Sequence, residues 1–362
     1  MPSVPLYQHI VNRLKQQIRS GELQPGDQIP TELQLSEAFQ VSRITSKRAL
    51  SELEHAKLIY RVQGKGSFVS PRNPPLRSSL TSSKEILLIL PFADNPGISD
   101  YIKGASDYLS HTDFSFHIQS NTAAGQRKLL QAALRSSISG VLLYPHSSLA
   151  DLDILYQYYL QDFPLITLDK SISGIPLPSV VSDNFNGGYE ATRYLLQHQH
   201  TRIAYLTANP ISQLSSIRDR YFGYLKALSD YGISYPEEEE LPGVFTTEHT
   251  IHSLLQHKIT AIVAENDILA IDLIAQAKEQ HIRIPGDLSI IGFDNIPMTH
   301  MIEPPLTTVA QDFVRLGYLA AESLVHRIER GQWPESVRQQ VPVALLQRAS
   351  VEALTASPSI HI

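Results

Sequence analysis

The 362-residue sequence predicts an α/β protein that is preceded by a small N-terminal unit of three helices and a β-hairpin. Residues 1–70 show helical periodicity and then two short β-prone runs around glycines. Residues 71–83, PRNPPLRSSLTSS, are rich in proline and serine, as linkers are. From residue 84 onward, short apolar runs alternate with helical patterns, which is typical of parallel sheets. We therefore predict an N-terminal domain, 1–70, a linker, 71–83, and a larger domain, 84–362.

The charge is divided unevenly along the chain. Residues 1–70 hold nine Lys/Arg against six Asp/Glu, and 71–84 add three basic residues and no acidic one. The remaining residues hold 18 basic against 30 acidic side chains. A basic end on an acidic body predicts a polyanionic partner at the N-terminal end only.

Several functional classes are disfavoured by composition. Cysteine is absent, so disulfides, thiol nucleophiles and cysteine-ligated metals are excluded. No apolar run approaches the roughly 20 residues of a membrane span, and the N-terminus lacks the apolar core of a signal peptide. We therefore expect a cytoplasmic protein with no membrane partner.

The N-terminal unit begins with three predicted helices. Apolar residues recur at helical spacing over 10–18, and Gly21 supplies a stop signal. Thr31–Gln34 form a capping-box pattern that starts a second helix through Phe39. Ser42 can cap the third helix. The β-prone runs 58–62 and 67–70 follow, around a tip at 63–66, so the expected fold is a winged helix-turn-helix.

The third helix, within VSRITSKRALSEL, has two distinct faces. One face is mostly apolar and is expected to pack inward: Ser46, Ala49, Leu50 and Leu53. The other face carries donors suited to phosphates and base edges: Ile44, Lys47, Arg48 and Ser51. Basic residues alone would also fit a solvated helix surface. The capped helix before this segment and the glycine hairpin after it favour DNA binding, with Lys47 anchored to phosphate.

Residues 29–69, IPTELQLSEAFQVSRITSKRALSELEHAKLIYRVQGKGSFV, resemble the GntR family of bacterial transcription regulators. The family pattern is a Pro–Ser/Thr–Glu helix start, V-S-R-x-T-x-R-x-A-L and a G-x-G-[ST]-F-V wing. The resemblance implies that Arg43, Thr45 and Arg48 contact operator DNA in the major groove. It also implies that a wing tip approaches the minor groove: Gly64, Lys65 and Gly66.

Two residues depart from the family pattern. Leu33 stands where many members carry Arg, so one expected DNA contact is missing. Ser46 replaces the usual branched apolar residue of the inward face, which weakens the local packing. Ile44, at the centre of the outward face, is either an incidental surface residue or a contact for a thymine methyl group.

In the larger domain, short apolar runs predict the strands of a parallel α/β fold: Ile86–Leu90, Gly140–Tyr144, Leu165–Leu168, Ile203–Leu206, Ala261–Ala264 and Leu288–Gly292. Helical patterns lie between them. Ligands of such sheets bind beyond the carboxyl ends of the strands. A binding site is therefore expected at that edge.

Four segments of this domain resemble the LacI/GalR effector domain, which is related to periplasmic sugar-binding proteins: VVSDNFNGGYEATRYLLQHQHTRIAYL, RDRYFGYLKAL, AIVAENDILAIDLI and IPGDLSIIGFDNIP. Joined to a GntR-type unit, they indicate the arabinose-repressor-like subfamily. The resemblance implies two Rossmann-like lobes connected by crossing strands, roughly 84–182 with a helix near 313–330, and 183–312 with a C-terminal strand. It also implies four effector-binding residues: Asp169, Arg220, Asn266 and Asp294.

Each of these residues also has a structural interpretation. Asp294 or Asn266 can cap a following helix, and Arg220 can pair with Asp219 at the surface. Asp169 can close a turn. Asp267 is expected to cap a helix or brace its loop and is left out of the pocket. An aromatic wall can come from three residues that are equally suited to the core: Tyr101, Tyr144 and Phe222.

These observations predict a homodimeric transcription regulator, a repressor, that binds a pseudo-palindromic operator and responds to a small polyhydroxylated effector. A pentose, hexose, sugar acid or nucleoside would fit, as inducer or as corepressor. No catalytic or metal-binding spacing is present, and no cofactor is expected. The alternatives are an enzyme or a cytosolic sugar-binding protein that carries a GntR-type domain. His198 and His200 are interpreted as part of a surface turn.

Overall fold

The computed structural model describes residues 6–20, 22–24, 26–55, 58–62, 66–70, 84–91, 97–120, 122–234, 244–246, 251–333 and 337–354. The chain divides into two compact units, Met1–Ser82 and Ser83–Ile362. The predicted linker, 71–83, and the wing residues Gly64 and Lys65 lie outside the described residues.

The first unit contains three helices and a small antiparallel sheet. The helices are α1 (Leu6–Ser20), α2 (Glu32–Ala38) and α3 (Arg43–His55). The strands are β1 (Gln28–Ile29), β2 (Ile59–Val62) and β3 (Gly66–Val69), in the order β1-β3-β2. The predicted helix-turn-helix and hairpin are confirmed. The two-residue β1, which pairs with the outer side of β3, was not predicted because two residues carry no periodicity.

The second unit alternates strands and helices along the chain. Its helices are α4 (Ile98–Leu109), α5 (Gln126–Arg135), α6 (Leu152–Leu160), α7 (Asn184–Gln197), α8 (Ser215–Asp230), α9 (Ile251–Gln256), α10 (Asp267–Glu279) and α11 (Phe313–Arg330), with a 3-10 turn at Pro297–His300. Its strands are β4 (Glu85–Leu90), β5 (Ser115–Ser120), β6 (Gly140–Leu143), β7 (Leu165–Leu168), β8 (Ser179–Ser182), β9 (Ile203–Thr207), β10 (Val244–Thr246), β11 (Ala261–Ala264), β12 (Ser289–Asp294), β13 (Thr307–Ala310), β14 (Arg338–Val341) and β15 (Ala344–Leu346).

The strands of the second unit form two separate sheets. Among the described residues, the first sheet has the order β14-β8-β7-β6-β4-β5, and all of its pairs are parallel. The second has the order β10-β9-β11-β12-β13-β15 and is parallel except for β15. Each sheet buries an apolar core, so the second unit consists of two α/β lobes.

The chain passes between the lobes at three described places. It leaves the first lobe after β8 at Asp183, returns after β13 through Gln311 and Asp312, and leaves again at Pro342 and Val343. The first lobe therefore takes α11 and β14 from the C-terminal part of the chain. This arrangement confirms the predicted two-lobed fold.

Glycines bring one pair of helices into close contact in the second lobe. A Cβ atom at Gly188 of α7 would lie 2.0 Å from the carbonyl oxygen of Arg220 in α8. A Cβ atom at Gly223 of α8 would lie 2.0 Å from the carbonyl oxygen of Phe185 in α7. Only glycine permits this approach, which holds α8 against the start of α7.

Candidate DNA-binding surface and effector cleft

The start of α3 is capped by hydroxyl groups. The backbone N–H of Thr45 donates to Ser42 Oγ at 3.2 Å, as the sequence predicted. The Thr45 hydroxyl is 2.9 Å from the same Ser42 Oγ. Thr45 therefore contributes to the helix start in addition to any contact with DNA.

The inward face of α3 is buried as predicted. Ser46, Ala49, Leu50 and Leu53 are each at most 2% exposed. Within the described part of the chain, Ser46 Oγ is buried and has no hydrogen-bond partner. An unpaired buried hydroxyl costs about 1–3 kcal/mol, so the departure from the family pattern at this residue destabilises the unit.

The outward face of α3 does not present its basic residues equally. Arg43, Ile44 and Lys47 are exposed, Ile44 to 80%. Arg43 and Lys47 are four residues apart and thus lie on one side of the helix. Arg48 is also exposed, but its guanidinium lies over the Tyr7 ring of α1, 4.1 Å from the ring centroid. Lys47, not Arg48, stands at the second Arg of the pattern V-S-R-x-T-x-R.

The wing is attached to the helices through Arg61 of β2. Its guanidinium lies 2.8 Å from a carboxylate oxygen of Glu54 in α3 and 3.4 Å from one of Glu32 in α2. Gly66, the first residue of β3, has a φ of +114°, a backbone conformation that favours glycine. Arg61 was not singled out from the sequence because its partners are distant in the chain.

The four predicted effector residues follow the carboxyl ends of strands in both lobes. Asp169 follows β7 of the first lobe. In the second lobe, Asn266 follows β11 and Asp294 is the last residue of β12. Arg220 lies on α8 of the second lobe and is 5% exposed. The structure brings three of them together at the strand ends, because Asp169 of the first lobe interacts electrostatically with Arg220 and Asp294 of the second. Asn266 also follows a strand, but no described contact joins its side chain to the other three.

Arg220 is the centre of this cluster. Its Nε donates to Asn184 Oδ1 at 2.8 Å, and its Nη1 donates to the carbonyl oxygen of Glu265. Its Nη2 lies 3.6 Å from Asp294 Oδ1, and its guanidinium stacks on the Phe293 ring at 3.6 Å. The alternative partner, Asp219, is instead bonded to Arg338 at 2.6 Å. Arg220 is therefore a buried, rigidly held group and not a surface ion pair.

Asp169 joins a group of side chains from the first lobe. Tyr101 donates its hydroxyl to Asp169 Oδ1 at 3.0 Å, and Lys170 Nζ lies 3.1 Å from Asp169 Oδ2. The Lys170 ammonium also lies over the Tyr144 ring, 3.6 Å from its centroid. Asp169 is 5% exposed and does more than close a turn. Phe222, the third aromatic candidate, is 48% exposed on α8.

Asn266 and Asp294 have different roles in the second lobe. Asn266 Oδ1 accepts from the backbone N–H of Leu269 at 2.9 Å and so caps α10, which is the structural alternative raised from the sequence. Asp294 caps no helix here; its Oδ1 accepts from Gln311 Nε2 at 2.5 Å. Asp267 accepts from the backbone N–H of Ile296 at 2.9 Å and braces that loop, as predicted.

Burial changes the acidity of the carboxyl groups in the cleft. Burial raises the pKa of Asp294 to about 6, against the opposing effect of Arg220. Burial, reinforced by Asp294, raises the pKa of Asp267 to about 8. Although burial opposes its ionisation, Asp169 has a pKa below its usual value because Lys170 and Arg220 favour the carboxylate. Asp169 thus stays ionised well below neutral pH, whereas Asp294 titrates near pH 6 and is mostly ionised at pH 7.

Sequence reasoning missed four polar residues near the strand ends of the two lobes. Lys170 and Gln311 directly contact the predicted Asp169 and Asp294. Besides Ser46 Oγ of the first unit, three buried side-chain polar atoms among the described residues have no hydrogen-bond partner: Ser182 Oγ, His146 Nε2 and Gln311 Oε1. They follow or end strands of the two lobes and could accept or donate bonds to a ligand. Their position after a strand was the only available signal.

Two further expectations concern metals and membranes. His200 is 2% exposed and bonded to Thr260 and to the carbonyl oxygen of Glu352, so the interpretation as a surface turn was wrong for this residue. Both ring nitrogens of His200 therefore have hydrogen-bond partners, as buried polar groups require. No group of His, Cys, Asp or Glu suited to a metal occurs among the described residues. In the same residues, every helix is too short or too polar to span a membrane.

Two family models match the sequence. Bacterial regulatory proteins, gntR family, match residues 6–69, and a periplasmic binding protein-like domain matches residues 192–351. The chain is 29% identical over 348 residues to the arabinose metabolism transcriptional repressor of Geobacillus stearothermophilus, covering 91% of this chain and 92% of that protein. It is 30% identical over 279 residues to the HTH-type transcriptional repressor CytR of Escherichia coli K12, covering 75% of this chain and 80% of that protein.

Solved structures share the fold of the second unit. A LacI family transcriptional regulator from Enterococcus faecium with bound ribose is 28% identical, with a TM-score of 0.63 over 75% of this chain and 100% of that chain. The regulator CelR in complex with cellobiose is 22% identical, with a TM-score of 0.66 over 89% and 100%. At this lower identity, the second likeness shows the fold alone.

A winged helix-turn-helix unit joined to a two-lobed domain with buried polar groups at its strand ends defines the class of ligand-controlled DNA-binding regulators. The chain belongs to the HTH-type transcriptional repressors, and within it a gntR-family unit precedes a periplasmic binding protein-like domain. It is similar over nearly its whole length to arabinose metabolism transcriptional repressors.

Proposed function

We propose that this protein is a transcription repressor whose operator affinity is controlled by a small polyhydroxylated effector, a sugar or sugar derivative. The observation that carries the proposal is the Arg220 cluster, in which buried polar groups from both lobes meet at the strand ends. Such a cleft would enclose a ligand between the lobes of a domain that is joined to a GntR-type unit. The similarity to named repressors supports the same conclusion.

The charges of the cleft favour an uncharged ligand. Lys170 lies 3.1 Å from Asp169, and Arg220 lies 3.6 Å from Asp294, so each cation has a carboxylate beside it. Carboxylates accept hydrogen bonds from hydroxyls, while Arg and Lys donate to hydroxyl and ring oxygens. A neutral sugar matches both sets, whereas a phosphate group would need a cation without a carboxylate neighbour.

On the DNA side, a homodimer would place two α3 helices in successive major grooves of a pseudo-palindromic operator. Arg43 and Lys47 share one exposed side of α3 and are assigned to base edges, and Thr45 and Arg48 to the adjacent backbone. Gly64, Lys65 and Gly66 of the wing are assigned to the minor groove. Such a protein acts in the cytoplasm, where operator DNA lies, and neither catalysis nor a cofactor enters this role.

The effector would act by changing how the two lobes, and with them the two DNA-binding units of the dimer, are arranged. Coupling of this kind is typically about 1–3 kcal/mol, or roughly 5–150-fold in operator affinity. Either sign of the coupling, release or strengthening of DNA binding, is consistent with the cleft.

The experiment has two arms on the full chain. A thermal-shift screen of neutral pentoses, hexoses, disaccharides, sugar acids, phosphosugars and nucleosides identifies the effector class. Selection from a randomised duplex library identifies the operator. The affinity of the protein for this duplex is then measured with and without the sugar at fixed salt. We expect a neutral sugar to raise the melting temperature and to change operator affinity. A chain that enriches no duplex would be a sugar-binding protein, and one that no sugar stabilises would require another effector.

A further inference from the structure

Helix α8, which carries Arg220, lacks a capping side chain of its own. The residue before it, Leu214, has an apolar side chain, which cannot accept a hydrogen bond. The first N–H groups of a helix have no partner inside the helix and need one from outside. Here the backbone N–H of Ser215 donates to Ser148 Oγ at 2.9 Å. Ser148 follows β6 and belongs to the first lobe, so the cap crosses between the lobes.

A second hydrogen bond crosses in the opposite direction. The backbone N–H of Ser171, in the first lobe, donates to Ser215 Oγ at 2.9 Å. Ser171 directly follows Lys170 in the chain. Ser215 thus links the segment that carries Asp169 and Lys170 to the start of the helix that carries Arg220.

Two more bonds converge on the carbonyl oxygen of Gln213, just before α8. The backbone N–H of Ser148 donates to it at 2.9 Å, and the Ser147 hydroxyl donates to it at 3.2 Å. Ser148 and Ser215 are at most 2% exposed, so their bonds are shielded from water. Four hydrogen bonds from a few serines therefore join the lobes at one place.

We propose that Ser148 and Ser215 form an interlobe latch that positions Asp169 and Lys170 against Arg220. The inference rests on the proposed function in so far as these three residues bind the effector. The latch stabilises the closed arrangement of the lobes through bonds within the protein. It is completed only when α8 meets the first lobe, because Leu214 provides no substitute cap. Ser148 and Ser215 act as positioning residues, and effector affinity depends on the bonds they make.

The absence of cysteine from the chain makes the latch directly measurable. Cysteines introduced at the exposed residues Lys128 of α5 and Glu279 of α10 carry spin labels, one in each lobe. Pulsed electron paramagnetic resonance then gives the distribution of interlobe distances without any ligand. We expect Ser148→Ala to raise the ratio of open to closed molecules about fivefold, as for the loss of one helix cap.

Ser350→Ala is the matched control. Ser350 is fully buried, accepts from the backbone N–H of Thr307 at 2.9 Å and donates to the carbonyl oxygen of Ile290, all within the second lobe. Its loss should lower the melting temperature and leave the distance distribution unchanged. An unchanged distribution in both Ser148→Ala and Ser215→Ala would refute the latch. Two serine variants guard against failure of one to fold.

Binding of D-ribose, of L-arabinose and of cellobiose separates the latch from the proposed effector role. If one of these sugars binds, its dissociation should accelerate about fivefold in Ser148→Ala, with a nearly unchanged association rate. A raised Kd for the sugar with an unchanged dissociation rate would contradict the latch. If no sugar binds any variant but Ser148→Ala still opens the lobes, the latch stands and the sugar proposal fails.

Discussion

The candidate DNA-binding surface and the candidate effector cleft hold their charges in opposite ways. On α3, Arg43 and Lys47 are exposed side chains of one sign. In the cleft, Lys170 and Arg220 are 6% and 5% exposed, and each lies beside a carboxylate. Exposed charges suit a long polyanion whose counterions they displace, whereas buried, neutralised pairs select a small ligand by the geometry of its hydrogen bonds.

The largest expected difference between the two sites is their dependence on salt. Operator affinity should fall on the order of a thousandfold between 50 and 200 mM salt, the range for six or more phosphate contacts. Effector affinity should change less than about twofold, because buried pairs are poorly screened. Fluorescence anisotropy and calorimetry over one salt series make the comparison. Equal salt slopes for the two ligands would show that the two sites do not differ in how they hold their charges.

Removal of the central guanidinium of the cleft should have the next largest effect. Arg220→Ala should weaken effector binding at least about 100-fold, because it removes charge-assisted hydrogen bonds and deprives the buried Asp294 of the cation that lies 3.6 Å from it. Arg218→Ala is the control, since Arg218 lies on the same helix and pairs with Asp219. Calorimetric titration with the sugar found by thermal shift measures both. Equal affinities of Arg220→Ala and the unmodified chain would refute the pocket assignment.

On α3, the test is whether Lys47 or Arg48 discriminates between bases. Lys47→Ala should cost about 1–3 kcal/mol and relax the preference at one operator position. Arg48→Ala should weaken all sequences uniformly and by less, because its guanidinium is packed on Tyr7. Selection from a randomised duplex library, done for both variants, provides the readout. Loss of base preference in Arg48→Ala alone would support the assignment made from the sequence.

Effector affinity should depend on pH through Asp294, whose pKa burial raises to about 6. Above this pH the carboxylate accepts hydrogen bonds from hydroxyls, and below it the group is protonated. Affinity should therefore fall, by up to about tenfold per unit, as the pH decreases below 6. Asp294→Asn should bind more weakly at pH 7 and show a flat profile. A profile unchanged by this substitution would assign the titration to another group.

The sign is opposite for the ligand-free fold. A carboxyl whose pKa is raised in the folded state contributes stability below its unfolded pKa, and this contribution is lost as the pH rises through the folded pKa. For Asp294, this contribution to stability is lost between about pH 4, its unfolded pKa, and about pH 6, its folded pKa.

The smallest expected effect concerns packing beneath the DNA-binding surface. Ser46→Ala should stabilise the first unit by about 1 kcal/mol, since it removes a buried hydroxyl without a partner among the described residues. Ser36→Ala should have the opposite sign, because the Ser36 hydroxyl donates to the carbonyl oxygen of Val41 at 2.9 Å. Hydrogen exchange of the α3 amides measures both. Equal shifts in the two variants would show that hydroxyl pairing does not decide the stability.

The two sites also differ in how much of them was predictable. The buried stripe of α3 follows from residues three and four apart, so periodicity alone located it. The partners of Arg220 in the cleft, Asn184 and Glu265, are 36 and 45 residues away, and no local pattern connects them. The contact of Arg48 with Tyr7 could not be predicted either, because it depends on how α1 packs against α3.

Most of the strands of the second unit that the sequence did not predict lie at sheet edges. The inner strands β8, SVVS, and β13, TTVA, were also missed, because Ser and Thr interrupt their apolar pattern. The central strands, such as β6 and β7, are buried throughout and stand out as apolar runs. The edge strands β5, SFHIQS, and β14, RQQV, are mostly exposed or half-buried and carry polar residues. Edge strands are paired on one side only, so their sequences resemble loops.

The return of α11 and β14 to the first lobe has a consequence for synthesis of the chain. The first lobe lacks its last helix and its edge strand until residue 341 has left the ribosome, by which point the main part of the second lobe is already synthesised. Helix α4 packs against α11, which is more than 200 residues later in the chain, so this contact cannot form until α11 has been synthesised. Contacts of such sequence separation slow folding. The nascent first lobe therefore exposes apolar surface during translation and would be the segment that a chaperone engages.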